Sequence, residues 1–138
     1  MADLIKMKTI FPNKLKNGDE IMVVAPSDSL SLISKETRRI ANEKFSQMEL
    51  KLSFAKNVDE LDEFDSSSIE SRVSDLHQAF SNKNVKGIFA VIGGMNCNQL
   101  LRYLDWNLIK NNPKVFIGYS DTTALQNAIH AKTGLVTY

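Results

Sequence analysis

The segment Pro113-Lys114-Val115-Phe116-Ile117-Gly118-Tyr119-Ser120-Asp121-Thr122-Thr123-Ala124-Leu125 holds the residues best placed for chemistry. A short apolar strand runs into a glycine, then a serine and an aspartate, then a helix. Enzymes of the α/β class present a serine nucleophile at such a strand-to-helix turn. The first amides of the following helix have no partners within it, so the turn favours negative charge. A serine that attacks a carbonyl creates an oxyanion, which needs preorganised N–H donors. The amide of Asp121 is one natural donor. Gly93-Gly94 suits the second, because glycine lets backbone approach a ligand closely. Both features also have plainer readings. Ser-Asp-Thr before a helix is an ordinary N-cap cluster, and Thr122 stands where the Gly-x-Ser-x-Gly elbow has its second glycine. Gly93-Gly94 can simply end a strand. It lacks the third glycine of a dinucleotide fingerprint.

A serine nucleophile needs a general base within hydrogen-bond reach. The sequence has two histidines. On a continuous helix, at about 1.5 Å per residue, His130 lies about 15 Å beyond Ser120. His77 sits mid-helix between Asp75 and Gln78 and reads as a surface or packing histidine. No metal-ligand pair has the needed spacing, and no cofactor is expected. Cys97 reads as a buried bystander thiol. Asp105 and Trp106 cap and pack a short helix, and Asp28 belongs to a solvated loop.

The elements that must position Ser120 follow from periodicity. Glu20 to Ala25 reads as a buried parallel strand, short and almost wholly apolar. Met48–Phe54, Val85–Ile92 and Val115–Ile117 read as further strands, and Leu135–Tyr138 begins another. Helices are expected over Leu32–Gln47, with Ile33, Ile40, Ala41 and Phe45 on one face, and over Ile69–Phe80. The second is capped by Ser67 or Ser68, with Val73, Leu76, Ala79 and Phe80 inward. Asn96–Tyr103 is expected as a helix and Leu104–Asn111 as a short helical turn. Asp121–Lys132 is a helix closed by Gly134 at a C-cap position. Residues Met1 to Asn17 read as a ragged leader, and Lys56–Ser68 as a loop. Strands alternating with helices imply an α/β domain with a mostly parallel sheet and helices on both faces, in flavodoxin-like or Rossmann-like layering. Sites in such sheets form outside the carboxyl ends of the strands. The loops Pro26–Ser29, Gly93–Asn96 and Gly118–Asp121 should therefore converge.

The 138 residues fit one domain. The hydrophobic content of 43% and charged content of 24% are those of an ordinary globular protein. A net charge of +1 gives no electrostatic case for nucleic acid or an anionic membrane. One cysteine excludes an intrachain disulfide and fits a cytoplasmic location. No apolar run approaches the ~20 residues that span a bilayer.

At these residues the chain resembles the LD-carboxypeptidase and microcin C self-immunity family of serine peptidases. The resemblance runs from Leu15-Lys16-Asn17-Gly18-Asp19-Glu20-Ile21 and Val24-Ala25-Pro26-Ser27 through Ser71-Arg72-Val73-Ser74-Asp75-Leu76-His77-Gln78-Ala79-Phe80. It is strongest in Ile92-Gly93-Gly94-Met95-Asn96-Cys97-Asn98-Gln99-Leu100-Leu101, Leu104-Asp105-Trp106-Asn107-Leu108-Ile109 and Asn112 to Asp121. It implies that Ser120 is the nucleophile. It also implies an oxyanion hole made by the amide of Asp121 and a glycine of the loop, Gly94 or Gly93. Carboxypeptidase members tend to carry Arg-Gly-Gly-Tyr-Gly at this loop. Here Ile92 stands in place of the arginine and Met95-Asn96 in place of Tyr-Gly, which is more similar to the microcin-immunity branch. The implied substrate is a small peptide-like or peptidyl-nucleotide amide. The family draws its triad Glu and His from a C-terminal domain, so residues 1–138 are expected to be the N-terminal domain of a longer enzyme. Alone they are expected to be inactive, and the face left bare is expected to favour a homodimer. The other reading is a non-catalytic binding or assembly module in which Ser120 only caps a helix.

Overall fold

The computed structural model describes residues 8–138. Four strands form one parallel sheet: β1 (Glu20–Val24), β2 (Lys51–Phe54), β3 (Val85–Ala90) and β4 (Val115–Ile117). Their spatial order is β2-β1-β3-β4. The connecting helices are α1 (Lys35–Gln47), α2 (Ile69–Ser81), α3 (Trp106–Asn111) and α4 (Thr123–Thr133). The chain steps from β1 outward to β2, then returns past β1 to β3. That reversal opens a crevice outside the carboxyl ends of β1 and β3.

Register assigns the two faces. Met22 pairs with Ile88, and Ile88 with Phe116, so all three point one way. Val23 lies between Phe54 and Phe89, which point the other way. Phe80 of α2 stacks on Phe116, with centroids 6.2 Å apart and planes at 6°. Phe45 of α1 meets Phe89 edge-on at 5.4 Å and 85°. The sheet thus carries helices on both faces. The face under α2 holds the fully buried Phe80, Ile88 and Phe116, joined in one core by Leu100, Ile109, Leu125, Ile129 and Leu135. The α1 face is thinner, and no residue of α1 is fully buried.

Local caps explain most boundaries. Ser68 accepts from the Ser71 amide and starts α2. Asp105 accepts from the Leu108 amide and starts α3. Gly134, at φ 80°, ends α4 in the left-handed region that glycine tolerates.

Several expected bounds shift. Ser34 caps α1, so the helix begins at Lys35, and Leu30–Leu32 form a separate 3-10 turn. Ile40 is 46% exposed because Thr37, Ala41 and Phe45 form the stripe that faces the sheet. Met48 to Leu50 lie outside β2 in a turn in which Glu49 takes φ 57°. β3 stops at Ala90, not Ile92. Asn96–Tyr103 is no α-helix; only Cys97–Leu100 coil, as a 3-10 turn. Part of the expected leader is ordered. Ile10 bridges Leu135 in parallel, and Pro12 is buried. Met1 to Met7 lie outside the described residues. The expected last strand takes up ladder bonds: the Tyr138 amide donates to Phe116 O at 2.9 Å, and the Gly118 amide to Tyr138 O at 3.0 Å.

Phe80→Ala removes a fully buried ring and should cost about 3–5 kcal/mol in urea unfolding. Phe64→Ala, at a ring 69% exposed, should change stability by no more than about 0.5 kcal/mol.

Candidate functional site

Ser120 follows β4 by two residues and stands exposed at the first position of a 3-10 turn, Ser120–Thr122, that leads into α4. Its φ is 59°, in the left-handed region that non-glycine residues avoid at a cost of about 1–3 kcal/mol. A helix-cap role is absent. Neither the 3-10 turn nor α4 has a side-chain cap bond, and α4 begins at Thr123, not Asp121. Thr122 Oγ1 is buried without a partner.

Gly93 lies directly against Ser120. A Cβ built on Gly93 would come within 2.9 Å of both Cβ and Oγ of Ser120, and 3.6 Å of the Asp121 amide nitrogen. The loop after β3 therefore packs its backbone directly against Ser120. Gly94 takes φ 148°, and a side chain there would collide with Asp28 and Ser27. Its freedom lets the β3 loop and the β1 loop pack without a gap. The Asp28 amide donates to Gly93 O at 3.1 Å and completes that seam.

Asp121 contributes more than its amide. Its Oδ2 accepts from Ser27 Oγ at 2.6 Å and from the Cys97 amide at 2.8 Å. One carboxylate thus ties together the loops after β1, β3 and β4. Ser27 has a single hydroxyl proton and gives it to this anion. Asn96 Oδ1 is instead satisfied by Arg72 Nη1 at 3.0 Å. Arg72, only 3% exposed, also donates to Pro26 O and Asn96 O, each at 3.2 Å, and through Nη2 to Gln99 Oε1 at 2.9 Å. It reaches from α2 beneath the loops and fastens them from the core side. The side-chain roles of Arg72, Ser27, Asn96 and Asp121 were not among the sequence expectations. A lone arginine on the apolar face of α2 was the one available signal.

The local field is negative. Burial, then Asp65, then Asp121 push the Asp28 carboxyl above its ordinary range. Asp28 is half-buried, so it is not the solvated loop residue expected. Burial and the Asp121 charge push the Cys97 thiol up to about 12, which outweighs the nearby Arg72. The fully buried Cys97 is thus a protonated packing residue.

Neither histidine serves Ser120. His77 Nε2 accepts from the Asp105 amide at 3.0 Å, and His130 Nδ1 faces Leu135 O at 3.3 Å. Among the described residues no cluster of three or more His, Cys, Asp or Glu side chains could hold a metal ion. No helix there is long and apolar enough to cross a membrane.

Fold and strand-end geometry place the molecule in the α/β class, with an exposed serine at a strained turn beside a glycine loop. Residues 21–138 match the description "LD-carboxypeptidase N-terminal domain", and the chain belongs to that family of peptidases. "Putative carboxypeptidase YocD" of Bacillus subtilis is 52% identical over 94% of this chain and 40% of its own length. The "Microcin C7 self-immunity protein MccF" of Escherichia coli is 34% identical over 98% of this chain and 39% of its own. A crystal structure of an MccF-like protein from Bacillus anthracis superposes with a TM-score of 0.93 at 54% identity, covering 94% of this chain and 39% of that one. MccF in complex with aspartyl sulfamoyl adenosine superposes at 0.82 and 36% identity, over 93% of this chain and 38% of that one. The chain thus spans about two fifths of the length of the relatives it matches.

The buried thiol sets a pH limit. The thiol's ordinary value is 9.0, and the fold raises it to about 12. Above pH 9.0 the unfolded chain loses this proton while the native one keeps it. Stability should therefore fall as pH rises through that window. A thiol-reactive dye should label Cys97 only as fast as the protein opens, and labelling at the rate of a free thiol would contradict the assignment.

Proposed function

We propose that Ser120 is the nucleophile of a serine peptidase or amidase that cleaves a peptide-like amide. The carrying observation is the pair formed by the left-handed Ser120 and the glycine loop packed on it. Ser120 Oγ attacks the carbonyl, and the leaving amine departs as an acyl-enzyme forms. Water then releases the acid. The oxyanion lies between the Asp121 amide and an amide of the Gly93–Gly94 loop. The amino terminus of α4, which begins at Thr123, adds a favourable dipole there.

The proton of Ser120 goes to a histidine, oriented by a glutamate, that lies outside residues 1–138, and that histidine gives it to the leaving amine. Two observations support this. Both histidines of the chain are engaged elsewhere, and the relatives are far longer than the stretch they share with it. This domain is then the nucleophile-bearing half of the active site.

The favoured substrate joins an acyl group to a nucleotide-like leaving group through an amide or acyl sulfamate analogue. The support is the likeness to MccF, whose solved complexes hold aspartyl sulfamoyl adenosine and adenosine monophosphate. Ile92 and Met95-Asn96 depart from the glycine-loop pattern of carboxypeptidase members.

The test uses the intact protein with two substrates, an aminoacyl-nucleotide amide and a muropeptide with an LD-amide. Ser120→Ala should lower kcat by at least about 10³-fold without changing the fold. Gly93→Ala should fold but lose most activity, since its methyl group would displace Ser120. A Ser120→Ala variant that keeps full turnover on both substrates would refute the assignment. Cleavage of the muropeptide alone would move the substrate to the peptidoglycan class.

A further inference from the structure

The edge of the sheet opposite Ser120 holds a cleft of about 520 Å³. It opens where the strands begin. Asp19 precedes β1, Val85 and Lys86 open β3, and Pro113 and Lys114 precede β4. Its walls carry Lys14, Lys16, Lys83, Lys86 and Lys114 against a single carboxylate, Asp19. Asp19 is already committed, since its Oδ2 accepts from the Lys16 backbone amide at 2.8 Å. Among the described residues none of the five lysines forms a salt bridge; the ion pairs lie on Arg38 and Arg39.

Lys114 is the informative member. It is only 8% exposed. Its Nζ donates to Asn82 O, at the carboxyl end of α2, at 2.7 Å and to Val85 O, at the start of β3, at 2.5 Å. Those two bonds alone would make it a helix staple. An ammonium has three donors, however, and the third has no partner among the described residues. Burial, Lys86 and Lys83 all press the Lys114 ammonium toward its neutral form. A cluster that only stapled a helix would gain nothing from further cations around it, because each adds repulsion. The volume is that of a small-molecule site.

We propose that this cleft binds a small multivalent phosphate anion, held by the buried Lys114 ammonium at its floor and by Lys83, Lys86, Lys14 and Lys16 at its rim. It lies across the sheet from Ser120 and is a separate site.

Calorimetric titration of the intact protein with inorganic pyrophosphate, and in parallel with fructose 1,6-bisphosphate, tests this at matched ionic strength. Saturable binding of one anion per chain is expected. Similar affinity for both assigns the free ion, and tighter binding of the sugar bisphosphate assigns a phosphorylated metabolite. The K83Q/K86Q variant, altered only at exposed side chains, should bind about tenfold or more weakly with an unchanged melting temperature. Lys16→Gln provides an independent variant expected to weaken binding in the same direction. No saturation by either anion in the wild type overturns the proposal. So does affinity that is unchanged in both variants.

Discussion

The carboxylate of Asp121 is the interaction on which the site depends. It is buried enough to need donors and finds two, the Ser27 hydroxyl and the Cys97 amide. Hydrogen bonds to a charged group are worth about 1.5–3 kcal/mol each, so this anion can hold three loops in register. Its own backbone follows Ser120 directly. The group that fixes the loops therefore also fixes the amide next to the serine. Arg72 works from the other side, through neutral acceptors on the β1 and β3 loops. A cation beneath and an anion within balance the charge and leave the serine itself free of hydrogen bonds to either.

That bracing lets the turn keep a strained residue. Ser120 at φ 59° would relax if the loop around it could yield. It cannot, because Gly93 occupies the space beside its side chain and the fully buried Thr122 is locked into the next turn. The same carboxylate accounts for Cys97. Its amide is drawn to Asp121, while its thiol is kept protonated first by burial and then by the same charge. One charge thus orders a backbone and adds to the burial that silences the Cys97 thiol.

Legibility in the sequence follows sequence separation. The strand cores, the Ser68 and Asp105 caps and the Gly134 stop are short-range patterns, and each was readable from its own neighbourhood. The strand-to-helix serine and the two glycines were readable too, since a turn and a close approach demand particular residue types. The bracing was not. Ser27 and Asp121 are 94 residues apart, and Cys97 and Asp121 are 24 apart. Nothing local marks an aspartate side chain that turns back from a helix start to another strand's loop. The helix expected over Asn96–Tyr103 is instead a 3-10 turn that ends by Leu100, with its free first amide, that of Cys97, taken by Asp121. The helix α1 is present with Ala41 and Phe45 inward as expected, but Ile40, which also matched a helical period, falls outside the stripe that meets the sheet.

Net charge concealed the most. A formal charge of +1 averages two unlike edges. At the carboxyl ends of the strands burial, then Asp65, then Asp121 push the Asp28 carboxyl up. At the amino ends five lysines surround one committed aspartate. The parallel sheet sorts these charges, because every strand begins at one edge and ends at the other. Residues that precede strands gather in one place and residues that follow them in another. A run of like charge along the chain is therefore unnecessary for a charged cleft; lysines at the starts of successive strands suffice. The fold brings Ser120 to its glycine loop by that same rule, with loop ends meeting at the opposite edge.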